Sequence, residues 1–161
     1  MLPLVAAPIL IAYDGSDPAR HCIDEAARLL GSRRVVVITA WEPGLAYATA
    51  MPMSDLGGLS TPAVDLGAAR EAEEAMQERA ERVAGEGAEL ARSAGFEAEA
   101  IAVGEAVRVP DAILDKAREI GAAAIVIGSR GLSGLQARMQ GSTSSAVLKD
   151  APCPVVVVHQ D

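Results

Sequence analysis

The chain has 161 residues, half of them hydrophobic, yet aromatic side chains make up only 2 % of it, so any core is built from Ala, Val, Ile and Leu. That length suits one compact domain with a substantial interior and is short for two. A formal net charge of −8 argues against a nucleic-acid partner held by a general basic field and against docking on an anionic membrane. It leaves room for one small anion at a local site.

The opening MLPLVAAPILIAY is apolar, but no basic residue precedes the run and it is too short to span a bilayer. It reads as a first core strand, PILIAY (8–13), and the expected location is cytoplasmic. DGSDPAR then supplies Asp17 as an N-cap with Pro18 at the first helical position. Ile23, Ala26, Ala27 and Leu30 fall on one face of that helix, and Gly31-Ser32 stops it. RVVVITAW (34–41) is the second strand. The span 42–63, EPGLAYATAMPMSDLGGLSTPA, has no periodicity and is either a mobile flap over a site or a tolerated surface insertion, the second being preferred.

From Val64 to Ala94, Met76, Ala80, Val83, Gly87 and Leu90 recur at three- and four-residue spacing, which predicts one long amphipathic helix with a solvated Glu/Arg face. Gly85 and Gly87 each weaken it by up to about 1 kcal/mol relative to Ala and allow a bend there. EAEAIAV (97–103) alternates at its start and suits a sheet edge. Ile113, Leu114, Ala117 and Ile120 form a third helix, AAAIVIG (122–128) a fourth strand, Ser142 to Leu148 the opening of a fourth helix, and PVVVVH (154–159) the last strand. Four of the five apolar runs are nearly continuous, as in parallel strands covered on both faces. The order β-α-β-α-β-α-β-α-β predicts a doubly wound α/β layer structure. The terminal PVVVV is a short apolar edge strand that invites pairing with a second copy. Cys22 and Cys153 form no CxxC pair and read as two small buried thiols in a reducing compartment.

Two stretches carry the candidate chemistry. GSRGLSGLQARMQGST (128–143) follows the fourth strand and ends at a helix start. In open α/β sheets ligands bind beyond the carboxyl ends of strands, where the strand order reverses. Gly128 would end the strand, and Gly131 would let the backbone turn with no Cβ in the way, with Gly134 a further bare position. Gly141 and Ser142 would open the helix, where free N–H groups favour a phosphate. Ser142, Thr143, Ser144 and Ser145 add hydroxyl donors, and Arg130 adds charge. The second stretch, YDGS (13–16), puts Asp14 at the end of a strand expected beside the fourth. A carboxylate there can accept hydrogen bonds from a ribose or base, help hold a divalent ion, or simply cap the turn into the first helix. Ala40 and Trp41 can wall a base, although Trp41 fits ordinary packing equally well. There is no GxxxxGK[ST], no GxSxG and no metal-ligand spacing. His21 reads as an exposed helix residue and His159 as a solvated strand end.

YDGS, VVVITAW and the final block IVIGSRGLSGLQARMQGSTSSAVLKDAPCPVVVV together resemble the universal stress protein family, over essentially the whole chain outside 42–63. ATP-binding members carry G-x2-G-x9-G-[ST], complete here as Gly128-x2-Gly131-x9-Gly141-Ser142. The resemblance implies a Rossmann-like, five-stranded parallel sheet of order 3-2-1-4-5. It also implies a homodimer formed through the last strand (Val155, Val156, Val157 and Val158) and ATP bound with Mg²⁺ or Mn²⁺. Asp14, with its strand-end neighbours Ala12 and Tyr13, matches the nucleoside end, Ala40 the adenine contact, and Ile127 with Gly128 the ribose contacts. Gly131, Gly141, Ser142 and Thr143 match the phosphate contacts, joined by Arg130, Gly134 and Ser144.

Two positions depart from the family pattern. Alanine replaces the acidic residue common before the fourth strand, and Thr39 stands where a histidine is common near the end of the second. The resemblance points to a regulatory nucleotide-binding dimer in stress response without dedicated turnover, since nothing obvious supplies a general base. Slow hydrolysis or autophosphorylation on the Ser/Thr cluster stays compatible with it. The alternative is a nucleotide-independent, chaperone-like dimer, a group whose members typically lack the complete glycine motif. An adenylyl-transferring ligase would need a second substrate site and a catalytic motif, and neither is found.

Overall fold

A computed structural model describes residues 6–44, 66–104, 108–129 and 142–159. The strands are β1 (Ile9–Ala12), β2 (Arg34–Trp41), β3 (Glu97–Gly104), β4 (Ala124–Gly128) and β5 (Val155–Val158). The helices between them are α1 (Asp17–Leu30), α2 (Leu66–Ser93), α3 (Val109–Glu119) and α4 (Ser142–Asp150). All four strand pairings are parallel and the sheet order is β3-β2-β1-β4-β5. This is the expected doubly wound α/β fold.

Alternation along each strand divides the interior into two layers. Ile9, Ile11, Val35, Val37 and Val126 pack with Cys22, Ile23 and Ala26 of α1 and Ala88 and Ala91 of α2. Leu10, Val36, Ile38, Ile125 and Ile127 pack with Ile113, Leu114 and Ala117 of α3 and Val147 of α4. The inner strands are covered on both sides and so need apolar side chains at successive positions. The two edges differ. β3 alternates at its start, with Glu97 and Glu99 exposed about a buried Ala98, while the valines of β5 at positions 155 to 157 are only half-buried.

The start of α1 corrects one expectation. Ser16, not Asp17, is the N-cap: its backbone is extended and its Oγ accepts from the Ala19 N–H at 3.3 Å. Asp17 is the first helical residue, where its charge faces the positive end of the helix dipole. Gly31, at φ 68°, closes the helix as expected, with its N–H on the Ala27 carbonyl.

α2 runs without a break over 28 residues, through both Gly85 and Gly87. Its buried side is a stripe of the smallest residues, Ala80, Ala84, Gly87, Ala88 and Ala91, so the helix axis lies close to the sheet. Gly87 is the tightest point. A Cβ there would stand 2.6 Å from Tyr13 Cδ1 and 2.8 Å from Val37 Cγ1, both fixed in the core, whereas a Cβ at Gly85 would meet nothing within 4 Å. One glycine is thus required by packing and its neighbour is not. Gly87→Val is expected to destabilise the chain by about 1–3 kcal/mol through overpacking. Gly85→Ala should stabilise it by up to about 1 kcal/mol through helix propensity. Urea titration of both variants checks the pair.

Candidate functional site

β1 feeds a crossover toward β2 and β3, whereas β4 feeds one toward β5 on the other side. The winding reverses between β1 and β4, which are direct neighbours (Ile11 opposite Val126). In sheets of this topology the carboxyl ends of such a strand pair mark the place where a ligand crevice forms. Asp14 leaves β1 at this point, and Gly128 and Ser129 leave β4 beside it.

The β1 exit is held in detail. The ladder with β2 ends at Ala12 opposite Ile38, and the Tyr13 N–H adds one more bond to the Ile38 carbonyl at 2.9 Å. The Tyr13 carbonyl accepts from the Thr39 hydroxyl at 2.8 Å. Asp14 Oδ1 then accepts from the Ser16 N–H at 2.9 Å and the Ser16 hydroxyl at 2.5 Å, closing a turn over Gly15. Gly15 has φ +82°, a conformation that L side chains rarely adopt, and the position a Cβ would take lies 3.5 Å from Val83 of α2. Both readings of Asp14 share this geometry: the carboxylate does organise the turn into α1, and it stands half-buried at the reversal of winding.

Tyr13 divides between two roles. Its main chain stands at the strand end, but its ring turns into the core against Val37 and Gly87 and is 3 % exposed. Its hydroxyl meets no hydrogen-bond partner among the described residues. Burial pushes the phenol pKa up from the usual 10, with the Arg20 guanidinium opposing and Glu86 adding to the rise.

Of the other anticipated positions, Ala12 and Ala40 are half-buried at the ends of β1 and β2, Ile127 is buried and Gly128 half-buried. The Ser129 N–H donates to the Val158 carbonyl at 2.9 Å, tying the exit of β4 to β5. At the start of α4, Thr143 is half-buried, Ser144 buried and Ser145 exposed. Arg130, Gly131, Gly134 and Gly141 lie outside the described residues, as do the side chain of Ser142, residues 45–63 of the irregular span and residues 64–65 of the expected second helix.

Trp41 takes the packing role. Its indole lies on Gly104, its partner in the β2–β3 register, so closely that a Cβ there would stand 3.0 Å from Cζ2 and 2.9 Å from the Pro43 ring. Glu73 of α2 accepts from the Gly44 N–H at 3.2 Å at the same corner. His159 is exposed as expected, but His21 is half-buried, and so is Cys153 rather than fully buried. No group of three or more His, Cys, Asp or Glu residues that could hold a metal ion occurs among the described residues. No helix among them is long and apolar enough to cross a membrane.

A parallel α/β sheet with a carboxylate and a helix start at its reversal of winding defines a Rossmann-like domain whose ligand crevice, where one is used, is at that point. Residues 7–159 match the model of the universal stress protein family. The chain is 30 % identical to the universal stress protein YxiE of Bacillus subtilis, over 94 % of its own length and 97 % of that protein. It is 33 % identical to a universal stress protein of Thermus aquaticus encoded in the QAH/OAS sulfhydrylase 3′ region, with the same two coverages. Among solved structures it is similar to the Archaeoglobus fulgidus universal stress protein in complex with dAMP, at 27 % identity and a TM-score of 0.57, covering 96 % of this chain and 98 % of that one. The chain belongs to the universal stress protein family.

Two residues of this corner escape a reading by motif. Gly87 sits in a helical pattern where glycine reads as a weak spot, and only its fall on the apolar face hints at a close approach. Thr39 is a lone hydroxyl inside a valine-rich run, and that is the signal that could have found it.

Cys22, wholly buried in α1 behind this turn, reports on its integrity. Burial pushes its thiol up to about 11, the Asp14 carboxylate adds to the rise, and a hydrogen bond to its own main chain opposes it. The folded thiol thus holds its proton at pH values where an unfolded one, near its ordinary 9.0, has lost it. The resulting stabilisation is complete below about pH 9 and is lost as pH rises toward 11. Thiol titration of the native chain at pH 8 is expected to label Cys153 well before Cys22, and guanidinium should equalise the two.

Proposed function

We propose that this universal stress protein binds ATP, with Mg²⁺ or Mn²⁺, at the reversal of winding between β1 and β4, and that binding regulates the protein without dedicated turnover. The observation that carries this reading is the spacing Gly128-x2-Gly131-x9-Gly141-Ser142, whose first glycine ends β4 and whose last residue begins α4. Bare peptide groups between those points can approach a polyphosphate without a Cβ in the way. The first turn of α4 offers main-chain N–H groups and the hydroxyls of Thr143 and Ser144. Asp14, next door on β1, can accept from a nucleoside hydroxyl or base. The dAMP complex of a relative with 27 % identity supports an adenine nucleotide as the class of ligand.

Ala12, Asp14 and Ala40 would take the nucleoside, with the Tyr13 main chain beside them. Ile127 and Gly128 would take the ribose, and Arg130, Gly131, Gly134, Gly141, Ser142, Thr143 and Ser144 the phosphates. The divalent ion would be held chiefly by the phosphate oxygens of the ligand. Its part is to neutralise phosphate charge, which suits a chain whose own net charge is −8.

The protein acts as a homodimer through β5 in this reading. β5 is an edge strand with three half-buried valines, and Leu148 of the adjoining helix is 52 % exposed, so a second copy would cover an apolar margin.

Replacing Gly131 and Gly141 together by valine should lower ATP affinity at least tenfold, about 1.4 kcal/mol or more, with the far-ultraviolet circular dichroism unchanged. Calorimetry on nucleotide-stripped protein measures it, and unchanged affinity would favour the nucleotide-independent dimer. Val155→Lys with Val157→Lys is expected to shift the sedimenting species from dimer to monomer, and a persistent dimer would rule out the β5 interface.

A further inference from the structure

We propose that Thr39 is a positioning residue for the nucleoside end of the site, acting through the Tyr13 carbonyl on the Asp14 turn. This inference rests on the nucleotide-binding reading above.

Thr39 is 7 % exposed, one of two polar residues that are buried among the described residues. Its placement in β2 has a clear consequence. The β1–β2 ladder ends at Ala12 opposite Ile38, and two residues later the chain must leave the sheet, pass through a left-handed glycine and begin a helix. Ser16 holds the Asp14 carboxylate within the turn, and Thr39 anchors the main chain that leads into it. Its hydroxyl donates to the carbonyl of Tyr13, so the peptide group that leads directly into Asp14 has its orientation set from β2.

The same segment is braced from the other side. The Tyr13 ring is wedged against Val37 and the bare Cα of Gly87, and Gly15 faces Val83. Apolar contact from α2 fixes where the turn sits, and the Thr39 hydrogen bond fixes how its peptide plane is rotated. A carbonyl rotation at Tyr13 transmits directly to the next residue, whereas the start of α4 hangs from β4 and is not touched by it. Loss of the hydroxyl should therefore weaken contacts made by Asp14 and leave contacts to phosphate unchanged.

That asymmetry is the test. The probes are ATP, adenosine and inorganic triphosphate, titrated calorimetrically into the full chain. Thr39→Val keeps the branched shape and removes the donor, and Thr39→Ser restores the donor. Thr39→Val is expected to bind ATP and adenosine about tenfold more weakly than the wild type, a loss of about 1.4 kcal/mol. It should bind inorganic triphosphate with unchanged affinity, and Thr39→Ser should return to within about twofold of the wild type for all three probes. In an Asp14→Ala background, Thr39→Val should cost nothing more, because both changes remove the same contact.

Equal loss for all three probes, or costs that add to that of Asp14→Ala, would mean a general structural role and would overturn the proposal. So would a Thr39→Val chain that binds like the wild type, and in both cases the nucleotide reading stands. A wild-type chain that binds neither ATP nor adenosine overturns that reading and this proposal with it. Should Thr39→Val fail to fold, Thr39→Cys takes its place, since a thiol is a much weaker donor than a hydroxyl. It is then expected to show the same selective loss, and its absence counts against the proposal.

Discussion

Parallel strands cannot be joined by tight turns, so each must be followed by a crossover that climbs over one face of the sheet. In this chain the crossover after β1 goes one way and the crossover after β4 goes the other. In sheets of this kind, two adjacent strands that send their chains in opposite directions leave a gap between those connections at the carboxyl end. The rest of the molecule can be understood from that gap. Its walls are the exits of β1 and β4, its floor is the end of a core packed on both faces, and helix starts rather than helix ends surround it. Partial positive charge therefore collects at its rim in a protein that is acidic as a whole.

Such a gap is useful only if its walls are stiff. The β1 wall is stiffened by two unlike forces. One is dispersion: α2 comes down on the sheet along a stripe of alanines and one glycine, and at Gly87 the Tyr13 ring fills the space a side chain would otherwise take. The other is directional: the Thr39 hydroxyl and the Ile38 carbonyl hold the two main-chain groups of Tyr13. The Tyr13 hydroxyl has no hydrogen-bond partner among the described residues, and the ring is held there by its apolar contacts. At the far corner the same principle recurs, with the Trp41 indole laid on Gly104. Among the described residues, the two large rings at the carboxyl edge, Tyr13 and Trp41, are both spent against bare glycines.

Much of this was legible in the residues. Runs such as VVVIT and AIVIG are continuous because their strands are covered twice, and that alone implies a parallel sheet with helices on both sides. The alternation of EAEA announced an edge, and the spaced glycines after β4 announced a backbone that must approach something. Serine and aspartate are both good caps, so the residues alone do not separate Ser16 from Asp17, and the choice is made by Ser16 folding back on Asp14 as well as on the helix. Propensity scales count Gly87 as lost helix stability, whereas here it is the condition for contact between helix and sheet.

The class of fold, the succession of elements and the family are already written in the residues, because hydrophobic period and glycine spacing are local properties of the chain. Which glycine in α2 is indispensable, where the indole of Trp41 rests and what holds the Asp14 turn emerge only once the chain is folded. Each of these depends on which residues of distant segments come within a few ångströms of each other. Thr39 and Tyr13 are separated by a strand, a helix and a turn in the chain, and the parallel register alone brings the hydroxyl of one within hydrogen-bond reach of the carbonyl of the other.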